Sequence, residues 1–254
     1  MVFSILVPTR ERIPQAKKLL NSINDTTVNK SQIEILFAID EEDKASAHNI
    51  INCKDIFKDL SINFYIRKRS EFLNRDYYNW LTQFAKGDFC WIMGDDCIFI
   101  APEWDILIKS RLDEYLSYKK DRIVCASIKD NTPKPSPHLP PFPCFPLISK
   151  EAIQLLGFAL HPEVPTWGAD YLVYQLYTKI GRLIRIDDQV FINHVSYHTT
   201  RDKSLEDTVN KRIGNIFNKT KNIPRHNIQL LEKENLPSQI ELLNKYIQAK
   251  ARQN

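Results

Sequence analysis

The stretch Phe89-Cys90-Trp91-Ile92-Met93-Gly94-Asp95-Asp96-Cys97-Ile98-Phe99-Ile100 decides how the chain is read. Five apolar residues run as a fully buried β-strand does, Gly94 interrupts them, two adjacent carboxylates follow, and the apolar pattern resumes at once. Desolvating an unpaired carboxylate costs several kcal/mol, so two side by side at the mouth of a buried strand call for a cation, a metal or a set of hydrogen-bond donors between them. Open α/β sheets bind ligands at the carboxyl ends of their strands, which is where Asp95 and Asp96 fall. The bland reading is a solvated turn between two strands, and the rest of the chain decides between the two.

Upstream, residues 2–7 read as a buried strand that stops at Pro8-Thr9-Arg10. The spacing of Ala16, Leu19, Leu20 and Ile23 predicts an amphipathic helix over 13–23. Residues 33–39 repeat the strand pattern and end in Asp40-Glu41-Glu42-Asp43, acids that can cap a following helix. A third strand is expected over 62–66, an aromatic-rich helix over 74–85, and the fourth strand over 89–93. Short strands and helices alternating at this spacing predict an α/β fold, a mostly parallel central sheet with helices on its faces.

Downstream, a helix is expected from Pro102-Glu103-Trp104-Asp105 to about residue 118 and a strand over 123–127. Residues 131–146 hold seven prolines in sixteen positions, which excludes helix and central strand and predicts a long loop. Residues 147–151 read as a strand end entering a helix with Ser149 as its N-cap. Trp167-Gly168-Ala169-Asp170 precedes a helix over 171–180 that Gly181 ends. Strands are expected over 183–186 and 190–192, the second delivering Asn193-His194-Val195-Ser196-Tyr197-His198. From Leu205 the chain is polar and helical, broken at Pro224, with a final helix from Ser238 carrying Ile240, Leu242, Leu243, Tyr246 and Ile247. No internal repeat is visible.

The 254 residues fit one large domain or two closely fused halves and can bury a substantial core. With 43% hydrophobic and 26% charged residues the chain is globular in composition, which excludes a wholly disordered or collagen-like protein. A net charge of +4, with basic residues dispersed until the last quarter, gives no nucleic-acid footprint. The five cysteines are odd in number and form no C-x-x-C pair, the pattern of free thiols in a reducing compartment. No secretory leader and no apolar run of about 18 residues is recognised, so the expectation is a cytoplasmic, soluble protein, with peripheral contact with a membrane left open.

Taken together, a first strand ending in Pro8-Thr9-Arg10, a second ending in Asp40, the run from Asn79 to Gly87 before a strand, Asp95-Asp96 after it, a later Gly-x-Asp at a helix start and a histidine at a late strand end resemble the GT-A glycosyltransferases, especially the family 2 type. The resemblance spans roughly residues 2–200. It implies a metal-dependent glycosyltransferase that moves a sugar from a nucleotide-diphosphate donor, expected to be a UDP-sugar, to a hydroxyl of a glycan or other acceptor with inversion. The implied division is a nucleotide-sugar-binding half at 1–100, an acceptor-binding half at 101–204 and a C-terminal helical extension at 205–254. An aspartate pair called the DXD motif holds a divalent cation, Mn²⁺ or Mg²⁺, against the diphosphate in that family. Hard oxygen ligands suit such cations.

By this resemblance Asp96 contacts the metal, and Asp95 contacts the ribose or reaches the metal through water. Many relatives have a third acid where this chain has Cys97, which leaves open which carboxylate is the direct ligand. Pro8, Thr9 and Arg10 line the nucleotide pocket, Asp40 accepts from base or ribose, and Arg75 reaches base or phosphate. Asp170 is the candidate general base for the acceptor hydroxyl; the alternative is that it caps its own helix, with Glu163 as the fallback base. His194 is the candidate additional ligand for metal or diphosphate, with His198 second. The pair forms H-x-x-x-H without the glutamate of a zinc protease. Trp167, Tyr197, Phe142 and Phe145 are candidates for stacking on sugar rings, with core packing as the alternative for each. A nucleotidyltransferase would want a glycine-rich loop after the first strand, and Pro8-Thr9-Arg10-Glu11-Arg12 has no glycine. A non-catalytic nucleotide- or glycan-binding module is the other alternative.

Overall fold

Two apolar runs, each interrupted by one buried polar residue (Ser4 and Glu34), become adjacent parallel strands, β1 (Phe3–Thr9) and β2 (Ile33–Asp40), in register from Phe3 opposite Ile33 to Thr9 opposite Ile39. The computed structural model describes residues 2–132, 143–166, 168–195 and 225–252. β3 (Ser61–Arg67) adds to the far side of β2, and β4 (Phe89–Ile92) to the near side of β1. The seven-stranded sheet is completed by β6 (Cys125–Ile128), β7 (Leu147–Ser149) and β8 (Leu183–Ile186) in the order β3-β2-β1-β4-β7-β6-β8, with β7 alone running against its neighbours. The mostly parallel α/β sheet expected from the sequence is therefore present. A separate antiparallel ribbon pairs β5 (Cys97–Phe99) with β9 (Ile192–His194).

Alternation along β1 explains the layers. Phe3, Ile5 and Val7 enter one core with α1 (Ile13–Thr26), α2 (Lys44–Ile56) and α4 (Trp104–Ser117), while Leu6 faces the other core. The second core holds α3 (Asn79–Leu81), α5 (Lys150–Leu156), α6 (Ala169–Lys179), α7 (Arg225–Glu234) and α8 (Leu236–Arg252), including Leu81, Ala152, Leu172, Leu231 and Leu243. All four residues expected on the buried face of α1 are buried. The sequence reading expects a helix after the four acids without giving its bounds: the buried face of α2 is Ser46, Ala47, Ile50 and Cys53, too small and polar to stand out as an apolar stripe. The aromatic-rich helix ends at Leu81 and opens with a π-helical turn at Asn74–Tyr78.

One expectation is corrected here, and of the two readings of Phe145 the core one holds. Ser149 does occupy the N-cap of α5, but its hydroxyl accepts from the Val124 N–H at 3.1 Å and makes no cap bond, because the neighbouring strand competes for it. Phe145 is buried and packs edge-on against His194 with ring centroids 4.8 Å apart, so it is a buttress and offers no open face to a sugar.

The sheet runs without a break through the β4–β7 pairing, and the C-terminal helices pack on α5 and α6 through Leu231, Leu236 and Leu243. Leu243 is fully buried. Leu243→Ala should therefore destabilise the whole chain by about 2–5 kcal/mol, read as a lower urea midpoint in a single transition. A separate early transition for α7 and α8 would make them an independent appendage.

Candidate active site

The order β3-β2-β1-β4 reverses direction at β1, and the ladder between β1 and β4 ends at Leu6 opposite Ile92. Beyond that pair the ladder stops, and this switch point at the carboxyl ends of the strands, hereafter the crevice, is where open α/β sheets take ligands. Pro8 and Thr9 end β1 there and Asp95 and Asp96 follow β4, with Thr9 and Asp95 in direct contact. Gly94 lets the chain fold back, since a Cβ there would stand 2.6 Å from the Asp96 Oδ1.

The pair is not a solvated turn. Asp95 is only 3% exposed; Thr9 Oγ1 donates to its Oδ2 at 2.8 Å and Arg12 Nη1 lies 2.9 Å from its Oδ1. The other nitrogen of the same guanidinium, Nη2, lies 3.1 Å from the Asp96 Oδ2. Glu11, held in the left-handed region at φ 53° with its N–H donating to Asp43 at 2.7 Å, turns the chain so that Arg10 and Arg12 diverge. Arg10 reaches Asp40 at 3.3 Å, and Arg12 reaches the pair. Asp43, one of the four acids after β2, is the N-cap of α2 and accepts from Ser46 N–H.

The β5–β9 register sets Cys97 opposite His194, which carries the imidazole to Asp96 across 98 positions of sequence. Nε2 of His194 lies 3.5 Å from Asp96 Oδ1, Nδ1 lies 3.0 Å from the Thr132 hydroxyl, and the Val195 N–H donates to the Asp96 carbonyl at 2.9 Å. The two carboxylates titrate differently in consequence. Burial pushes Asp95 up to about 7, a rise that Asp96 reinforces and that Arg12 and Thr9 only partly offset. Burial pushes Asp96 upward too, but His194 and Arg12 together outweigh it and hold that carboxyl below its ordinary range.

Asp170 stands in the first turn of α6, after Gly168 at φ 92°. Its carboxylate accepts the Tyr171 N–H at 2.9 Å, so it does cap its own helix in part. Burial raises it to about 6; the backbone donors oppose the rise and the charge of Asp130 adds to it. Asp130 adjoins β9 through a bridge to Ile192, and the charge of His194 acts on it.

Asp40 is 2% exposed, bonded by the Tyr77 hydroxyl and by Arg10. Arg75 does not join this group: it is half exposed, pairs with Asp76 at 3.0 Å and lies over the Phe72 ring. Besides Arg10, a second arginine, Arg67, stands in register with Asp40 on β3 and is set against the rings of Tyr77 and Trp80. Arg67 and Arg75 both line an open cleft of about 460 Å³. Glu163 is exposed. His198, Trp167, Tyr197 and Phe142 lie outside the described residues. Arg12, Asp130, Thr132 and Tyr77 were missed by sequence reasoning, and of these only Arg12 carried a signal, its place two residues after Arg10 at the strand end.

Among the described residues no cluster of three or more His, Cys, Asp or Glu side chains is preassembled to hold a metal. Asp96 and His194 do offer a carboxylate oxygen and a ring nitrogen facing each other, with the second ring nitrogen anchored by a hydroxyl. This donor set fits a divalent cation whose other positions are filled by ligand oxygens and water.

The fold and the crevice define the class: the chain has the GT-A fold. Among solved structures it is similar to the mannosyltransferase of Pyrobaculum calidifontis in complex with GDP-Man and Mn²⁺ (TM-score 0.60, 14% identity, 99% of this chain and 75% of that one). It is likewise similar to S. aureus TarS 1-349 in complex with UDP (TM-score 0.58, 14% identity, 76% and 60%) and to GalNAc-T7 with UDP, GalNAc and Mn²⁺ (0.57, 15%, 76% and 44%). In sequence the chain is 33% identical to the abequosyltransferase RfbV of Salmonella typhimurium over 128 residues, a match that covers 48% of this chain and 37% of that protein. The match thus spans little more than a third of that relative's length. No protein-family model matches the chain.

The environment of Asp170 predicts a sign. Its folded-state value near 6 exceeds the ordinary 3.8, so its ionisation opposes folding. The cost is absent below the ordinary value, grows as pH rises through the interval and is complete above about 6. Asp170→Asn should match the wild type in denaturant stability near pH 4 and exceed it at pH 8, by on the order of 2–3 kcal/mol. Equal stabilities at both pH values would mean the carboxylate is not desolvated.

Proposed function

We propose that the chain is a metal-dependent glycosyltransferase that moves a sugar from a nucleotide-diphosphate donor, a UDP-sugar in the first instance, to a hydroxyl of a glycan or other acceptor with inversion. The observation that carries this reading is the buried Asp95-Asp96 pair at the end of β4, with Thr9 on one side and His194 on the other. The partial match to an abequosyltransferase and the likeness to folds solved with UDP or GDP-Man support it.

In this reading Pro8, Thr9, Arg10 and Asp40 line the nucleotide side of the crevice, with Arg75 at the rim of the neighbouring cleft. Asp95 stays in place under Thr9 and Arg12 and orients the ribose end of the donor. Asp96 and His194 would hold Mn²⁺ or Mg²⁺, which when bound neutralises charge on the departing diphosphate. The bond between the anomeric carbon and the diphosphate oxygen breaks, and its electron pair leaves with the diphosphate. The acceptor oxygen bonds to that carbon, and its proton passes to Asp170. A carboxyl raised to about 6 is ionised at neutral pH yet basic enough to take a proton, which suits a general base.

The test is thermal stability against a panel of nucleoside diphosphates and nucleotide-sugars, each with and without Mn²⁺. A native-state ligand at a hundred times its Kd adds about 2.7 kcal/mol of stability. A rise for one base family that needs the metal and is lost in Asp96→Ala is expected. Asp96→Ala should also lower kcat on the order of a thousandfold, and the wild-type rate should climb with pH through the titration near 6. Response to no nucleotide, or near-normal turnover of Asp96→Ala, would refute the reading.

A further inference from the structure

Arg12 is the group in the crevice whose position the proposed chemistry leaves unexplained. Its guanidinium spans both carboxylates, Nη1 on Asp95 at 2.9 Å and Nη2 on Asp96 at 3.1 Å. It is also the N-cap residue of α1, a helix with no side-chain cap and no acid in its first turn. A cation is unfavourable at a helix N-terminus. Two carboxylates hold it there, and each is otherwise short of positive charge: among the described residues, Asp95 has the Thr9 hydroxyl and its own backbone N–H besides Arg12, and Asp96 has the His194 ring.

The fork divides the Asp96 carboxylate. Oδ1 faces His194 and Oδ2 faces the guanidinium. A divalent cation settling between Asp96 and His194 therefore comes up against a positive charge that cannot be removed by deprotonation, since guanidinium stays charged at any pH a protein survives. The site is largely screened from water, with the Asp96 side chain 15% exposed and that of Arg12 37%, so the repulsion is stronger than it would be on a surface.

We propose that Arg12 is a resident counter-ion of the Asp95-Asp96 pair that competes with a divalent cation for Asp96. This rests on the reading that Asp96 and His194 hold such a cation. Arg12 is a positioning residue in this account: it keeps two adjacent carboxylates balanced and in place while no metal is bound, and it weakens the binding of metal alone. An anionic diphosphate offers the guanidinium another partner, because charge-assisted contacts to phosphate are strong. The same residue that holds the metal off is then free to follow the donor.

The experiment is a Mn²⁺ titration of the full chain at pH 8 without nucleotide, with free ion read by electron paramagnetic resonance, for wild type, Arg12→Gln and Arg12→Lys. Arg12→Gln is expected to bind Mn²⁺ at least about tenfold more tightly than wild type. Arg12→Lys should fall between them, since an ammonium group cannot bridge both carboxylates. Adding Asp96→Ala to Arg12→Gln should abolish the gain. Melting curves with and without Mn²⁺ check folding, and the metal should raise the Tm of Arg12→Gln more than that of wild type. An affinity in Arg12→Gln equal to or below that of wild type overturns the competition and leaves the metal site standing. No Mn²⁺ binding by any variant at millimolar metal overturns both.

Discussion

Two neighbouring carboxylates can be buried at the end of a strand only if other parts of the chain supply positive charge and donors to them. Here every supplier comes from a different segment. Thr9 comes from the end of β1, Arg12 from the start of α1, His194 from β9, and the Tyr78 hydroxyl steadies the turn by donating to the Met93 carbonyl at 3.1 Å. Satisfying Asp95 and Asp96 therefore requires β1 beside β4, a turn that aims Arg12 inward, and a ribbon that returns residues 192–194 to Cys97. Breaking one partner leaves a charge stranded in low dielectric, which costs more than the contact itself contributes.

The crevice sorts its acids by environment. Asp96, with His194 and Arg12 beside it, stays charged; Asp95, deeper and next to a like charge, is pushed up to about 7; Asp170, buried near Asp130, is pushed up to about 6. Surroundings that drive titrations apart leave Asp96 a fixed anion while Asp95 and Asp170 hold their protons more readily.

Much of the scaffold was legible because it is local. The apolar runs of β1, β2 and β4 are period-free stretches that only a central strand explains, and the i, i+3, i+4, i+7 spacing in α1 needs no tertiary information. The carboxylate pair was legible for the same reason, charge set inside an apolar run. What was not legible depends on register. His194 could be named as a candidate, but its approach to Asp96 is fixed by the pairing of Cys97 with His194, and Thr132 and Asp130 reach the same place only because Asp130 bridges to Ile192. Local signals also lose to tertiary competitors: Ser149 has the sequence of a cap and spends its hydroxyl on Val124, and Arg75 has the placement of a ligand-binding residue yet pairs with Asp76.

The π-helical turn at Asn74–Tyr78 ties these levels together. Widening one turn of helix sends Tyr77 toward Asp40 and Tyr78 toward the Met93 carbonyl, while Asn74 Nδ2 bonds the carbonyls of Val164 and Thr166 at 2.7 and 2.8 Å. One five-residue element therefore fixes the ends of β2 and β4 on one side of the crevice and the segment leading to Asp170 on the other. Side chains of this single turn thereby join Asp40, the Asp95-Asp96 turn and the approach to α6.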